Sequence, residues 1–95
     1  MTSNSTDVQR FPMRRGDITV LHIDGETVLT ETTTGTQHQL NPTAQALWEL
    51  CDGSTRVEEM IDAILLLFAV DRGVVRDDVS RALSQLTDLG LLVWR

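Results

Sequence analysis

Side chains that could bind a metal or act as a nucleophile are few in this sequence and far apart. The candidates are His22, His38 and Cys51, and no two of them stand at the short spacing that is typical of a zinc site. The chain contains neither a glycine-rich phosphate loop nor a Gly-x-Ser-x-Gly nucleophile elbow. The acidic residues between positions 58 and 62 are spaced like the solvated face of a helix. The sequence therefore predicts no catalytic residues, no metal site and no cofactor.

The charge distribution argues against nucleic acid as a partner. The chain has no Lys and a formal net charge of −6; residues 1–16 hold three of the eight Arg and one acidic residue, which leaves −8 for residues 17–95. The stretch 76–88 holds two Arg against three Asp, whereas a DNA-reading helix carries a basic stripe. A domain this acidic repels phosphate backbones. We expect a neutral or basic partner and no nucleic acid.

Length and cysteine content indicate one small domain in a reducing compartment. Ninety-five residues suffice for a single core, and Cys51, the only cysteine, cannot form an internal disulfide. The polar N-terminus lacks the apolar stretch of a signal peptide, and the longest apolar run, 63–70, is far shorter than the ~20 residues that span a bilayer. We expect a cytoplasmic protein with no membrane span, in which residues 1–16 are mobile and residues 17–95 form the domain.

The first part of this domain alternates polar and apolar residues, as β-strands do. Two such runs, 18–23 and 26–32, flank Asp24-Gly25, a dipeptide that strongly indicates a two-residue hairpin. A second turn near Thr34-Gly35 precedes a short third run, 36–40. We predict a three-stranded antiparallel meander whose last strand lies at the edge of the sheet.

After residue 40 the apolar period becomes helical. Asn41 can cap a helix with its side-chain oxygen, Pro42 suits the first helical position, and Gly53 can follow the end of the helix in a left-handed conformation. These residues predict a first helix over 42–51.

Two further helices follow. The second is expected to open with a capping box of Thr55 and Glu58 and to run to about Ala69. The third is expected to begin near residue 75 or 76 and to be closed by Gly90. Its apolar stripe consists of Val79, Ala82, Leu83, Leu86 and Leu89. Three strands followed by three helices predict an α+β domain with a winged-helix-like architecture.

Three phrases of the sequence, in their order and separation, resemble a known family. The first runs from Asn41-Pro42-Thr43-Ala44 to Gly53 and is similar to L-N-x-T-A-x-x-[IL]-[LW]-x-L-x-[DE]-G. The second, 55–61, is similar to a T-V-x-E-I helix start, and the third, 78–92, to D-V-x-x-x-L-x-x-L-x-x-x-G-L-L. From about residue 18 to residue 93 the chain thus resembles PqqD-like proteins, the peptide-binding chaperones of modified-peptide (RiPP) biosynthesis.

The resemblance implies a function and a site. PqqD-like domains hold the leader part of a precursor peptide as an additional strand, in the cleft between the third strand and the third helix. It implies a non-catalytic RiPP recognition element that presents its precursor to a separate modifying enzyme, most like the stand-alone proteins of lasso-peptide pathways, which work beside a leader protease. The peptide-binding residues that it implies are Thr36, Gln37, His38, Gln39 and Leu40 on the strand and Val75, Val79, Ala82, Leu83 and Leu86 on the helix.

Alternatives stay open at this point. At helical spacing, Val79, Leu83 and Leu86 are more typical of a core than of a pocket, whereas Val75 and Ala82 flank the stripe and suit a pocket better. The runner-up function is that of a PqqD-type chaperone serving a radical enzyme in quinone cofactor biosynthesis. A third possibility is an acidic winged helix that acts as a scaffold or regulatory interaction protein.

Overall fold

In the part of the chain that the computed structural model describes, residues 11–68 and 70–95, five strands and three helices form. Their bounds are β1 Pro12–Arg14, β2 Ile18–Ile23, β3 Glu26–Glu31, β4 Gln37–Leu40, α1 Pro42–Leu50, α2 Val57–Leu67, α3 Arg72–Asp88 and β5 Leu92–Trp94. The prediction of an α+β domain is confirmed, and the arrangement is compatible with the winged-helix-like label. None of the helices in these residues is long and apolar enough to cross a membrane.

Strands β2, β3 and β4 form the predicted antiparallel meander, in that order. Asp24 and Gly25 both have positive φ, 52° and 80°, which is the backbone geometry of the two-residue hairpin turn that this dipeptide favours. At the second turn the Glu31 N–H donates to the Thr36 carbonyl (2.9 Å), and the Gly35 N–H donates to the Glu31 carbonyl (2.7 Å). Local turn chemistry therefore sets the register of the whole sheet.

A second, two-stranded sheet of β1 and β5 joins residues 12–14 to residues 92–94 and was not predicted. Its register places Pro12 opposite Trp94 and Arg14 opposite Leu92. The segment predicted to be mobile and outside the domain, 1–16, is therefore part of the fold at Pro12–Arg14, and residues 1–10 lie outside the described residues. The Arg14 guanidinium also donates to the Trp48 carbonyl (3.0 Å), one of the last carbonyls of α1.

Helix α1 begins as its capping residues predict. The Asn41 Oδ1 accepts a hydrogen bond from the Ala44 N–H (2.8 Å), and Pro42 occupies the first helical position. The helix ends at Leu50, one residue before the predicted end, and Cys51 follows as its C-cap.

Helix α2 begins with a different cap from the predicted one. The Glu59 carboxylate accepts from the Arg56 N–H (2.8 Å), whereas the Thr55 hydroxyl donates to Asp52 (3.0 Å). The predicted capping box of Thr55 and Glu58 is therefore wrong by one residue. The helix ends at Leu67, and its predicted end at Ala69 lies outside the described residues.

Helix α3 begins at Arg72, three to four residues earlier than predicted. The Asp71 carboxylate accepts from the Gly73 N–H (2.9 Å) and caps the helix. Glycine in the first turn weakens the helical signal of the sequence, and the cap offsets that cost. The Arg72 guanidinium also forms exposed ion pairs with two residues of α2, Glu58 (3.1 Å) and Asp62 (2.8 Å).

The core lies between the three helices and the face of β3 that is turned toward them. Its members include Leu29 of β3, Leu47 of α1 and Met60 of α2, each fully buried. Helix α3 contributes Val75, Val79, Leu83 and Leu86. Leu89, predicted to extend this stripe, is 49% exposed because it lies beyond the end of the helix, as the C-cap of α3.

Candidate functional site

The outer edge of β4 has no partner strand among the described residues, and the hydrogen bond at the preceding turn determines which of its groups are available. Because the Glu31 N–H donates to the Thr36 carbonyl, these two residues form a hydrogen-bonded pair. Such pairs alternate along an antiparallel ladder. His38 and Leu40 therefore direct their backbone groups toward β3, whereas Gln37 and Gln39, both exposed, direct theirs to the open edge.

Side chains of β4 alternate between the two faces of the sheet. His38 stands opposite the buried Leu29, and its Nε2 lies 2.8 Å from the Glu31 carboxylate. Leu40 is buried against the helices. Gln37 and Gln39 place their side chains on the opposite, solvated face.

A cavity of about 190 Å³ begins where β4 ends and lies between α1 and α3. Asn41, which directly follows β4, lines it together with the small side chains of Ala44 and Ala82. The Arg81 guanidinium donates to the Asp78 carboxylate (3.1 Å) at its wall. The complete lining is Asn41, Thr43, Ala44, Asp78, Arg81, Ala82 and Gln85. The half-buried Ala44 and Ala82 leave room in this cavity, which begins one residue after β4, for a side chain of a docked peptide.

Of the helix residues implied as peptide-binding, only Ala82 lines this cavity. Val79, Leu83 and Leu86 are 0–3% exposed and pack in the core, as their spacing alone indicated. Val75, which suited a pocket better by its position, is 2% exposed and packs in the core as well. The other lining residues were not predicted from the sequence: Asn41, Thr43, Ala44, Asp78, Arg81 and Gln85. One signal for the residues on α3 was present in their spacing. Asp78 and Gln85 lie four and three residues from Ala82, and Arg81 lies three and four residues from Asp78 and Gln85, which places these side chains on one side of the helix.

A larger cavity, about 340 Å³, lies on the other side of α3. The Trp94 indole borders it and donates to the Thr87 hydroxyl (3.0 Å). Its lining is Val57, Ser80, Leu83, Ser84, Thr87, Asp88 and Trp94. It is bordered by β5 of the two-stranded sheet, whereas the smaller cavity begins directly after β4.

The burial of Leu86 allows a direct test of whether this residue belongs to the core or to the peptide-binding site. We expect Leu86→Ala to lower the free energy of unfolding by ~2–5 kcal/mol, because it removes buried methyl groups and leaves a void. Val74→Ala, on the exposed face of the same helix, should change it by less than about 0.5 kcal/mol. Urea unfolding followed by circular dichroism measures both. Equal effects of the two substitutions would mean that Leu86 is not a core residue.

The potential nucleophile and metal ligands do not come together. Cys51 is fully buried, and this burial raises the pKa of its thiol to about 12, so the reactive thiolate is disfavoured at neutral pH. No group of three or more His, Cys, Asp or Glu that could hold a metal occurs in the described ranges. What this region offers chemically is a row of backbone donors and acceptors beside a small cavity.

Comparison with known families shows to which protein family the chain is related. The model of Coenzyme PQQ synthesis protein D (PqqD) matches residues 26–92, from the beginning of β3 into β5. The chain belongs to the PqqD family. The resemblance inferred from the three phrases is confirmed, and the match includes both β4 and the cavity-lining residues of this PqqD-family domain. None of the curated proteins matches it.

Two solved structures share the fold of this PqqD-family chain. One, "TbiB1 in Complex with the TbiA(beta) Leader Peptide", is 34% identical with a TM-score of 0.72, over 84% of this chain and 93% of that one. The other, "Lasso peptide synthetase B1 complexed with the leader peptide", also has a TM-score of 0.72, over 86% and 96% of the two chains. At 24% identity it shows the fold alone.

Proposed function

We propose that this PqqD-family chain is a non-catalytic RiPP recognition element, which binds the leader part of a precursor peptide as an additional strand along β4. The observation that carries the proposal is the free edge at Gln37 and Gln39, next to the cavity that Ala82 lines. An exposed strand edge is a template for β-strand addition. The 34% identity to TbiB1, whose structure contains a leader peptide, supports the same function.

The register defines how such a peptide would dock. Backbone groups of Gln37 and Gln39 would bond to the peptide, and neighbouring residues across a sheet share a face. The peptide residue beside His38 would therefore point toward the helices, and those beside Gln37 and Gln39 would point to solvent. Alternate peptide side chains would thus reach the cavity walls, and the backbone bonds would supply affinity that does not depend on sequence.

The cavity would select among peptide side chains by size and polarity. Ala44 and Ala82 leave space for an apolar group, whereas Thr43, Gln85 and the Asp78–Arg81 ion pair can accept or donate hydrogen bonds at its walls. The formal net charge of −6 favours a leader that is neutral or basic overall.

We further propose that the partner of the loaded complex is a separate processing enzyme in the cytoplasm, a leader protease of a lasso-peptide pathway. The likeness to TbiB1 supports this over a chaperone for quinone cofactor biosynthesis, although the description of the family model names coenzyme PQQ synthesis. An acidic scaffold protein would be favoured instead if the chain co-purified with a large assembly and without any short precursor.

Binding of a synthetic leader peptide tests the function. With precursors encoded near the gene, we expect fluorescence anisotropy to give a Kd between nanomolar and micromolar, about −8 to −12 kcal/mol. Neither nucleotide nor metal should be needed, so EDTA should leave the Kd unchanged. A scrambled leader of the same composition is the control. If no encoded leader raises its anisotropy at protein concentrations up to about 50 µM, the proposed function is wrong.

A further inference from the structure

Strand β2 forms the other outer edge of the three-stranded sheet. Two observations show which of its residues direct their backbone groups toward β3. The Thr32 N–H donates to the Asp17 carbonyl (3.1 Å), and Ile23 and Glu26 are the hydrogen-bonded pair that closes the two-residue hairpin. Thr19, Leu21 and Ile23 therefore bond to β3. The backbone groups of the alternate residues Ile18, Val20 and His22 point outward, where no described strand pairs with them.

This edge differs in character from the edge of β4. Strand β2 has six residues with no carboxylate, Lys, Arg or Pro, whereas β4 has four, of which three are polar. Val20, Leu21 and Ile23 are 39%, 43% and 50% exposed, which leaves apolar surface on both faces of β2. Proteins usually protect a solvated edge with charge, proline or a bulge, because an apolar edge pairs with other strands. None of these devices interrupts β2.

We propose that β2 pairs with β2 of a second copy of this chain, antiparallel about a two-fold axis at Val20. The outward residues then form the hydrogen-bonded pairs: Val20 faces Val20 of the second copy, and Ile18 faces His22. The two meanders become one six-stranded sheet, and Leu21 stands across from Thr19. This is an isologous contact, in which each residue meets its counterpart under the same symmetry.

The contact between the two copies contains no opposed carboxylates. The chain carries −6, so two copies repel each other at long range, and they can pair only where carboxylates are kept apart. In this register Asp17 lies across from Ile23 and Asp24 across from Gly16, so no carboxylate faces another. Asp17 is also bound by the Arg15 guanidinium (3.0 Å). The uncharged strand thus provides a self-complementary contact in an otherwise acidic chain.

The dimer leaves both β4 edges free at the two ends of the extended sheet. It therefore goes beyond the proposed leader binding and does not depend on it. Each copy would hold its own leader peptide.

Sedimentation equilibrium tests the dimer directly. From about 1 µM to about 1 mM, we expect the mass to rise from that of one chain, 10.6 kDa, toward twice that value. Val20→Pro removes an outward N–H without breaking the ladder to β3, and Val20→Glu places two carboxylates across the axis. Either variant should weaken dimerisation at least tenfold, whereas Val20→Thr, which keeps the N–H and the branched shape, should dimerise.

Leader binding separates this proposal from the proposed function. The Val20 variants should bind the leader as the natural chain does, because their β4 edges are intact. A monomeric natural chain at about 1 mM, or a Val20→Glu variant that dimerises normally, overturns the proposal. So does loss of leader binding in folded Val20→Pro, since β2 would then be the edge that the leader occupies.

Discussion

Gln39→Pro is expected to abolish most leader binding while leaving the protein folded. The Gln39 N–H points to the open edge, so proline removes no bond of the ladder to β3. A docked peptide loses that donor, worth ~0.5–1.5 kcal/mol, and also meets the pyrrolidine ring where the N–H had been. We expect the Kd to rise by about tenfold to a hundredfold, and Gln37→Pro should behave in the same way.

Two controls isolate the backbone effect in this experiment. Gln39→Ala removes the side chain and keeps the N–H, so it should bind the leader within a factor of about three. His38→Pro removes an inward bond to β3 and should lower the unfolding midpoint, which neither Gln39 variant should do. Normal leader binding by folded Gln37→Pro and Gln39→Pro would exclude strand addition at this edge.

Ala82→Glu is expected to weaken leader binding by about a hundredfold with a much smaller loss of stability. Ala82 is half-buried and lines the open cavity, so in the free protein the new carboxylate can remain hydrated. Docking of the leader would remove that water, at a cost of a few kcal/mol for an unpaired charge. Asp78, one turn earlier, adds a repulsion of only ~0.2–0.5 kcal/mol to the folded state.

Ser84→Glu is the matched control, since it adds the same charge to the opposite side of α3, beside the larger cavity. It should bind the leader normally. Anisotropy titrations and thermal unfolding of both variants give the comparison. If Ala82→Glu loses its cooperative unfolding together with its binding, Ala82 is a core residue; if Ser84→Glu loses binding instead, the leader lies in the larger cavity.

Elements encoded by short-range chemistry could be predicted from the sequence. Asp24-Gly25 specifies its hairpin by accepting positive φ, and Asn41-Pro42 specifies the start of α1 through one hydrogen bond. Strands β1 and β5 could not be predicted, because each has only three residues and their pairing joins positions about eighty residues apart. The start of α3 was obscured by Gly73, whose poor helix propensity is offset by the Asp71 cap.

The candidate site was predictable only in part. Family resemblance indicated β4, but the direction of its backbone groups depends on how Glu31 and Thr36 pair across a turn, which the sequence pattern does not give. The spacing of the apolar stripe of α3 is more typical of a core, whereas the family resemblance implied a pocket, and packing places Val79 and Leu86 in the core. In the sequence, Asp78, Arg81 and Gln85 have the pattern of an ordinary solvated helix face. They form a cavity wall only because α1 lies opposite to them in the fold.

Amide hydrogen exchange measured by NMR, with and without a saturating leader peptide, tests strand addition most directly. In the free protein the His38 and Leu40 amides should exchange slowly because they bond to β3, and the Gln37 and Gln39 amides should exchange rapidly. On leader binding the Gln37 and Gln39 amides should become at least about tenfold slower, as donors to an added strand. Unchanged exchange at Gln37 and Gln39 in a fully occupied complex would contradict the account.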